Sequence, residues 1–223
     1  MGFDRIRIKE NGKTHYQNNK WQNVLVVLIS MLIGGGVSVV FQFTGEIPLV
    51  GIFMGLVSIA VSLLFTSIIS MGTTTWFHRS IKTEGLKMEE MFWAFKEDYG
   101  GNVLLVFLIG LYTFLWSLLL FVPGIVKGYS YSLALYIKSE NPNIKPDKAI
   151  DLSKKMTNGR KMDLFVLDLS YIGWFILSAL TFNILGVLYV IPYYNAAKAF
   201  AYEEIKEEAL SKMVVTEEEI YGY

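Results

Sequence analysis

Apolar residues along this chain gather into blocks separated by polar links of very different lengths. Val24–Phe43 is the first block, entered behind Trp21, and the short link Thr44–Pro48 leads into a second, Leu49–Met71. A polar connection of mixed charge follows, WFHRSIKTEGLKMEEMFWAFKEDYGGN, and then the longest apolar stretch, Val103–Ile137, which carries Pro123, Gly124 and Lys127. A basic loop runs to Lys161, followed by Leu164–Phe182, a break at Asn183, Ile184–Phe200 and a charged tail. Blocks of about 20 apolar residues match the ~30 Å hydrocarbon layer of a bilayer, and each is predicted to be a membrane-spanning helix.

Val103–Ile137 would measure ~52 Å as a single helix, far more than a bilayer needs. Proline removes a backbone donor and clashes with the preceding helical turn, so Pro123-Gly124 is read as the turn of a hairpin. Charge agrees. Cytoplasmic loops collect Lys and Arg, and with this cut every one of the 20 basic residues except Lys127 falls on one side. A single kinked span would put the basic loop on the opposite side. The cut leaves Ile125–Ser139 short, at ~22 Å of helix.

The predicted fold is therefore all-α: a polytopic membrane helix bundle of six transmembrane helices with both termini cytoplasmic. Residues 1–21 form a polar N-terminal arm, 22–205 the membrane domain, and 206–223 an acidic tail, expected to extend the last helix and end flexibly. The arm has no signal-peptide pattern, and Ile6 stands where a myristoylation motif needs Ser or Thr. Composition supports the membrane reading, with 53% hydrophobic and 18% charged residues, against roughly 25% charged in soluble domains. There is no cysteine, which removes disulfides and thiolate metal sites. A net charge of zero with basic residues at the membrane face argues against nucleic acid as a partner.

Charges inside apolar blocks are the first candidates for chemistry. Lys127 is either a snorkelling lysine at the outer interface or a partnered intramembrane cation. Its candidate partners are Glu46, the one acid in the outer turns, and Asp168, the one acid well inside a span. Lys127 reaches Asp168 only if the Pro123 hairpin is re-entrant. Alone, Asp168 is expected to bond Ser or Tyr groups within the bundle. Pro123, Gly124 and Pro192 are candidate helix breaks, Pro192 freeing a helix carbonyl and Asn195 offering an amide beside it. Gly34-Gly35-Gly36 and the Gly51/Gly55 pair suit close helix packing.

The loop PDKAIDLSKKMTNGRK predicts an amphipathic cytoplasmic helix near 146–158. Pro146 and Asp147 fit its first turn and Gly159 its stop. Ala149, Leu152 and Met156 share a face, while Lys148, Lys154, Lys155, Arg160 and Lys161 offer contacts to anionic headgroups. No sequence motif of a metalloprotease, serine hydrolase or P-loop enzyme occurs, and His15 and His78 both lie in polar segments. The expectation is a non-enzymatic protein without cofactor or metal.

The succession PGIVKGYSYSLALYI, NP, AIDLSKKMTNGRK, LFVLDLSYIGWFIL and PYYNAAKAFAYEEI, within Trp93–Ile205, resembles an uncharacterised family of six-helix integral membrane proteins from Gram-positive bacteria. That family is distantly similar to the membrane domain of some glycerophosphodiester phosphodiesterases. Asn183 stands where the resemblance would put glycine. The resemblance implies a multi-pass protein of a bacterial plasma membrane and assigns no catalytic residue. Two functions follow: an accessory or scaffold component contacting lipid, a membrane-protein partner or a second copy of itself, or a small oligomeric transporter or lipid-handling protein with a site framed by the Pro123 and Pro192 breaks.

Overall fold

The computed structural model describes residues 3–40 and 48–222, with side-chain surroundings described for 3–34, 61 and 64–222. Within them the fold is all-α, and no strand occurs. The helices are α1 (Arg5–Asn18), α2 (Lys20–Val40), α3 (Pro48–Ser80), α4 (Trp93–Lys96), α5 (Tyr99–Leu119), α6 (Phe121–Tyr131) and α7 (Ala134–Glu140). They continue with α8 (Pro146–Met156), α9 (Lys161–Leu169), α10 (Ile172–Leu180), α11 (Ile191–Ser211) and α12 (Glu217–Tyr221). A 3-10 turn, Met88–Phe92, precedes α4, and a π-helical turn, Gly186–Val190, runs into α11. Two stretches among the described residues are long and apolar enough to cross a membrane: α5, and Lys161–Leu180, which joins α9 and α10 across a break.

The expected hairpin is present, with its turn shifted. Leu120 alone is extended (φ −160°, ψ 144°), and Pro123 and Gly124 lie in the first turn of α6. The reason is the proline's reach: its ring clashes with the carbonyl four residues back, which is Leu119, where α5 ends. In the first turn its missing N–H costs nothing, because that donor has no intrahelical acceptor. Gly124 serves packing instead. A Cβ there would sit 2.9 Å from Ser117 Cα, so α5 and α6 pass too close for any other residue.

The span expected over Ile125–Ser139 is broken between α6 and α7. Helix α8 explains the break. Its Ser153 hydroxyl accepts from the Leu133 amide (3.1 Å) and donates to the Ser130 carbonyl (2.8 Å), so it satisfies backbone groups that a continuous helix would pair internally. Pro146 opens α8 and Gly159, at φ +82°, follows it, as the sequence predicts. Its apolar face does not lie on a leaflet, however. Ala149, Ile150, Leu152 and Met156 are buried in the main core against α5, α6 and α7.

The ends of the chain are also built in. Asp4 caps α1, accepting from the amides of Ile6 and Arg7, and α1 crosses α11 where a Cβ on Gly12 would lie 2.9 Å from Ala197 Cα. Arg7 pairs with Glu204 at 3.0 Å. In α-helical register the donor to the Leu188 carbonyl is residue 192, a proline without N–H; Tyr16 Oη donates there instead, at 2.6 Å. Pro192 thus frees a carbonyl within a continuing helix, with the π turn just before it. At the other end the tail is not loose. Thr216 and Glu219 form a capping box on α12, and Ile220 is fully buried.

Candidate functional site

Asp168 comes from the last turn of α9, and three side chains converge on it. Tyr194 and Lys198, four residues apart on one face of α11, reach Oδ1 at 3.0 Å each; Lys198 also lies 3.3 Å from Oδ2. Tyr129 of α6 donates to Oδ2 at 2.9 Å. The carboxylate is thus held by one ammonium and two phenols from two other helices, and the Asp168 and Lys198 side chains are 24% and 14% exposed. Lys198 Nζ also lies over the rings of Tyr129 and Tyr194, at 5.8 and 5.7 Å. Phe165 and Phe175 pack edge-on against those same two tyrosines. A carboxylate so fully bonded is a neutralised structural node, with little acceptor capacity left for an incoming group.

Residues 119–209 match the model of a family described as "Protein of unknown function (DUF975)". No curated protein and no solved structure matches the chain. The DUF975 segment contains all four of these residues.

Asp168 therefore has the tyrosine partners the sequence suggests, plus a cation the sequence reading missed. Lys198 stands inside the apolar block Ile184–Phe200 but falls next to the charged tail, with which its charge is easily grouped. Lys127 does not reach Asp168. Half-buried, it places Nζ 4.5 Å from the Trp116 ring centroid and makes no ion pair among the described residues. Glu46 lies outside the described residues, as does the packing around Gly35, Gly36, Gly51 and Gly55. In the turn before the last block, Phe182 and Asn183 adopt φ +49° and +65°, the left-handed region that glycine fills most easily and Asn tolerates. That accounts for the glycine expected at 183.

A second cluster braces the far end of α3, α7 and α11. His78 Nε2 lies 2.7 Å from Glu203 Oε1 and Nδ1 lies 3.0 Å from Ser139 Oγ. Burial holds the His78 pKa below its usual value, so the ring is neutral, donating from Nε2. Its ligand atoms and those of Glu140 and Glu203 lie within 4.8 Å of one another, a spacing that could suit a metal ion. Two ammoniums already hold both carboxylates: Lys82 at 2.8 and 2.9 Å, Lys206 at 2.6 and 3.0 Å. With His78 neutral the charges cancel, and a dication would have to displace both lysines. Burial pushes the Glu203 carboxyl up, but His78 and the two lysines outweigh it and hold the pKa at about 2. Tyr202 also donates to Glu140. Glu140 and Glu203 belong to the DUF975 segment; His78 and Lys82 do not.

The five basic residues predicted to touch anionic lipid are mostly paired within the chain. Glu219 of α12 lies 3.1 Å from Lys155 and 4.0 Å from Lys148, and Asp151 lies 2.7 Å from Lys154. Arg160 pairs with Asp163 at 3.0 Å and donates through Nε to Glu208 at 2.8 Å. Lys161 alone of the five has no ion pair among the described residues. Also unforeseen is Lys138, fully buried, whose ammonium donates to Asp98 and to the carbonyls of Pro142 and Ile144 at 2.6–2.8 Å.

Proposed function

We propose that this chain is a non-enzymatic protein of the bacterial cell membrane, a scaffold or accessory component inserted from the cytoplasmic face as apolar helical hairpins, with both termini cytoplasmic. The observation that carries the reading is the poor burial of its most apolar helices. Only 11% of the apolar window in α5, and 22% of that in Lys161–Leu180, is buried by the rest of the chain. A soluble protein covers such helices; here they are left for lipid, a membrane-protein partner or a second copy. The charged groups inside the fold are used on one another, in the Asp168–Lys198 node and the His78–Glu140–Glu203 brace, so they support packing rather than turnover. The test is membrane fractionation followed by affinity purification in mild detergent. Retention in the membrane through alkaline carbonate washing, with a defined protein or a second copy co-purifying, supports the scaffold reading. Release by carbonate overturns it.

One observation favours the transporter or lipid-handling alternative. A groove of about 290 Å³ between α2, α3 and α11 is lined by Ser30, Thr66, Ser70, Thr73 and Asn195 among others, and the Asn195 amide has no hydrogen-bond partner among the described residues. Pro123 does not line it. A ligand that stabilises the protein in detergent, and no longer does so after Asn195→Ala, would establish that reading.

A further inference from the structure

Resting on the membrane reading, we propose that the α5–α6 hairpin and the hairpin formed by α10 and the π turn end inside the bilayer, as wedges occupied by the hydrocarbon of the cytoplasmic leaflet. The tips come first. Leu118, Leu119, Leu120, Phe121 and Val122 are five consecutive apolar residues, each 66–76% exposed. At the other tip Phe182 is 94% exposed between Leu180 and Ile184. Two side-chain hydroxyls of that second turn bond inward: Ser178 Oγ donates to Asn183 Oδ1 at 2.7 Å and Thr181 Oγ1 to the Ser178 carbonyl at 2.9 Å. Internal satisfaction of this kind is what hydrocarbon demands. At the first tip, Pro123 removes one of the N–H groups that a helix start leaves without an intrahelical partner.

The depth follows from where exposed charge begins. On α8 the Asp151, Lys154 and Lys155 side chains are 63%, 41% and 50% exposed. Lys154 Nζ lies over the Tyr131 ring at 5.8 Å, and Tyr131 packs on Tyr112 of α5. From Tyr112 to Leu120 the helix rises ~12 Å. The second hairpin repeats the dimension: Lys9 of α1 lies over Tyr171 at 5.0 Å, and Tyr171 to Leu180 is ~13 Å of helix. Both lengths fit half of a ~30 Å hydrocarbon layer and not the whole. If the tips reached the outer face, exposed Asp151, Lys154 and Lys155 would sit deep in hydrocarbon, where charged side chains are strongly penalised.

Half-insertion also accounts for Lys127. Spanning hairpins leave it as the one basic residue on the far side. As a wedge, it sits one helical turn beyond Tyr131, within snorkelling reach of the same charged boundary. All 20 Lys and Arg then belong to one face, as the positive-inside rule asks.

The cysteine-free chain permits a direct test. Leu120→Cys, Phe182→Cys and Lys154→Cys, each spin-labelled and reconstituted in liposomes, are compared for collision with oxygen and with a water-soluble nickel complex. At the two tips oxygen access is expected to be high and nickel access lost; at Lys154 the order reverses. Nickel access at the tips, or their labelling by impermeant maleimide added outside intact cells, overturns the wedges while leaving membrane insertion standing. Tips closed to both reagents overturn lipid as the occupant. Failure of the protein to float with liposomes overturns the membrane reading itself.

Discussion

Replacing Asp168 and Lys198 separately and together is the most informative perturbation of the node that joins α6, α9 and α11. At 3.0 Å and an effective dielectric constant near 20, the Coulomb attraction is about 5–6 kcal/mol, and the cost of removing both ions from water offsets most of it. Removing one partner of a buried pair costs about 3–5 kcal/mol, because the survivor is left desolvated. The pair is partly exposed, so each single change should fall at or below the bottom of that range, about 2–3 kcal/mol. For a 223-residue chain each kcal/mol moves Tm by about 2–4 °C, and Asp168→Asn and Lys198→Met are each expected to lower Tm by about 4–12 °C. Thermal unfolding in detergent, read by loss of the monodisperse peak on size exclusion, measures this. The double variant should be no worse than the poorer single one, giving a coupling of about 2–3 kcal/mol. Additive single effects, with coupling below about 0.5 kcal/mol, would refute the claim that the two charges stabilise each other.

Tyr16→Phe removes the donor to the carbonyl that Pro192 leaves open, and should cost about 0.5–1.5 kcal/mol, the net worth of one part-buried hydrogen bond. In a Pro192→Ala background, where residue 192 again carries an N–H, the same change should cost much less, and equal costs in both backgrounds would sink the explanation. Acid should destabilise the fold in two steps, seen as Tm against pH. Burial depresses the His78 pKa, so that contribution is complete above the unfolded value near 6.5 and is lost as pH falls. Arg160 and Lys212 hold Glu208 at about 2, as His78 and the lysines hold Glu203, so a steeper loss should follow below about 4.5. His78→Gln should remove the upper step and leave the lower. Glu219→Ala removes the capping box and the contacts to Lys148 and Lys155; the box is worth about 1 kcal/mol, so protease cleavage near Lys212 should quicken about fivefold with Tm nearly unchanged.

What the sequence made legible was local. Pro146 and Gly159 bracket α8 because a first-turn proline and a left-handed glycine act within a few residues of themselves. Pro123 marks a hairpin because its ring forbids the helix from continuing through Leu119. Pairings across the chain were not legible. Lys198 is 30 positions from Asp168 and reads as the start of a charged tail; Lys138 is buried only because Asp98, 40 positions earlier, and two carbonyls surround it. Polar α1 shows no broad apolar stripe, and its docking depends on scattered features: Ile8 in the core, Gly12 for close approach, Arg7 for Glu204, His15 for Ser80, and Tyr16 for a carbonyl emptied by a distant proline.

The same limit governs the count of spans. An apolar block of about 20 residues satisfies a length rule for crossing hydrocarbon, whichever part of it faces lipid. In α5 the rule is met by the whole helix, yet Leu105 is fully buried, with Leu108, Ile109 and Tyr112 packed against the same core that takes the inner face of α8, while Leu118 and Leu119 stand exposed at the tip. On the proposed reading the inward side of the block is apolar because it covers α8, and the exposed side, from Leu104 and Phe107 to the tip, because it meets lipid. Hydropathy sums both reasons into one span. The proposed wedge rests on the α8 charges, whose position Ser153 fixes by plugging the α6–α7 break, and it takes the inserted length as about 12 Å.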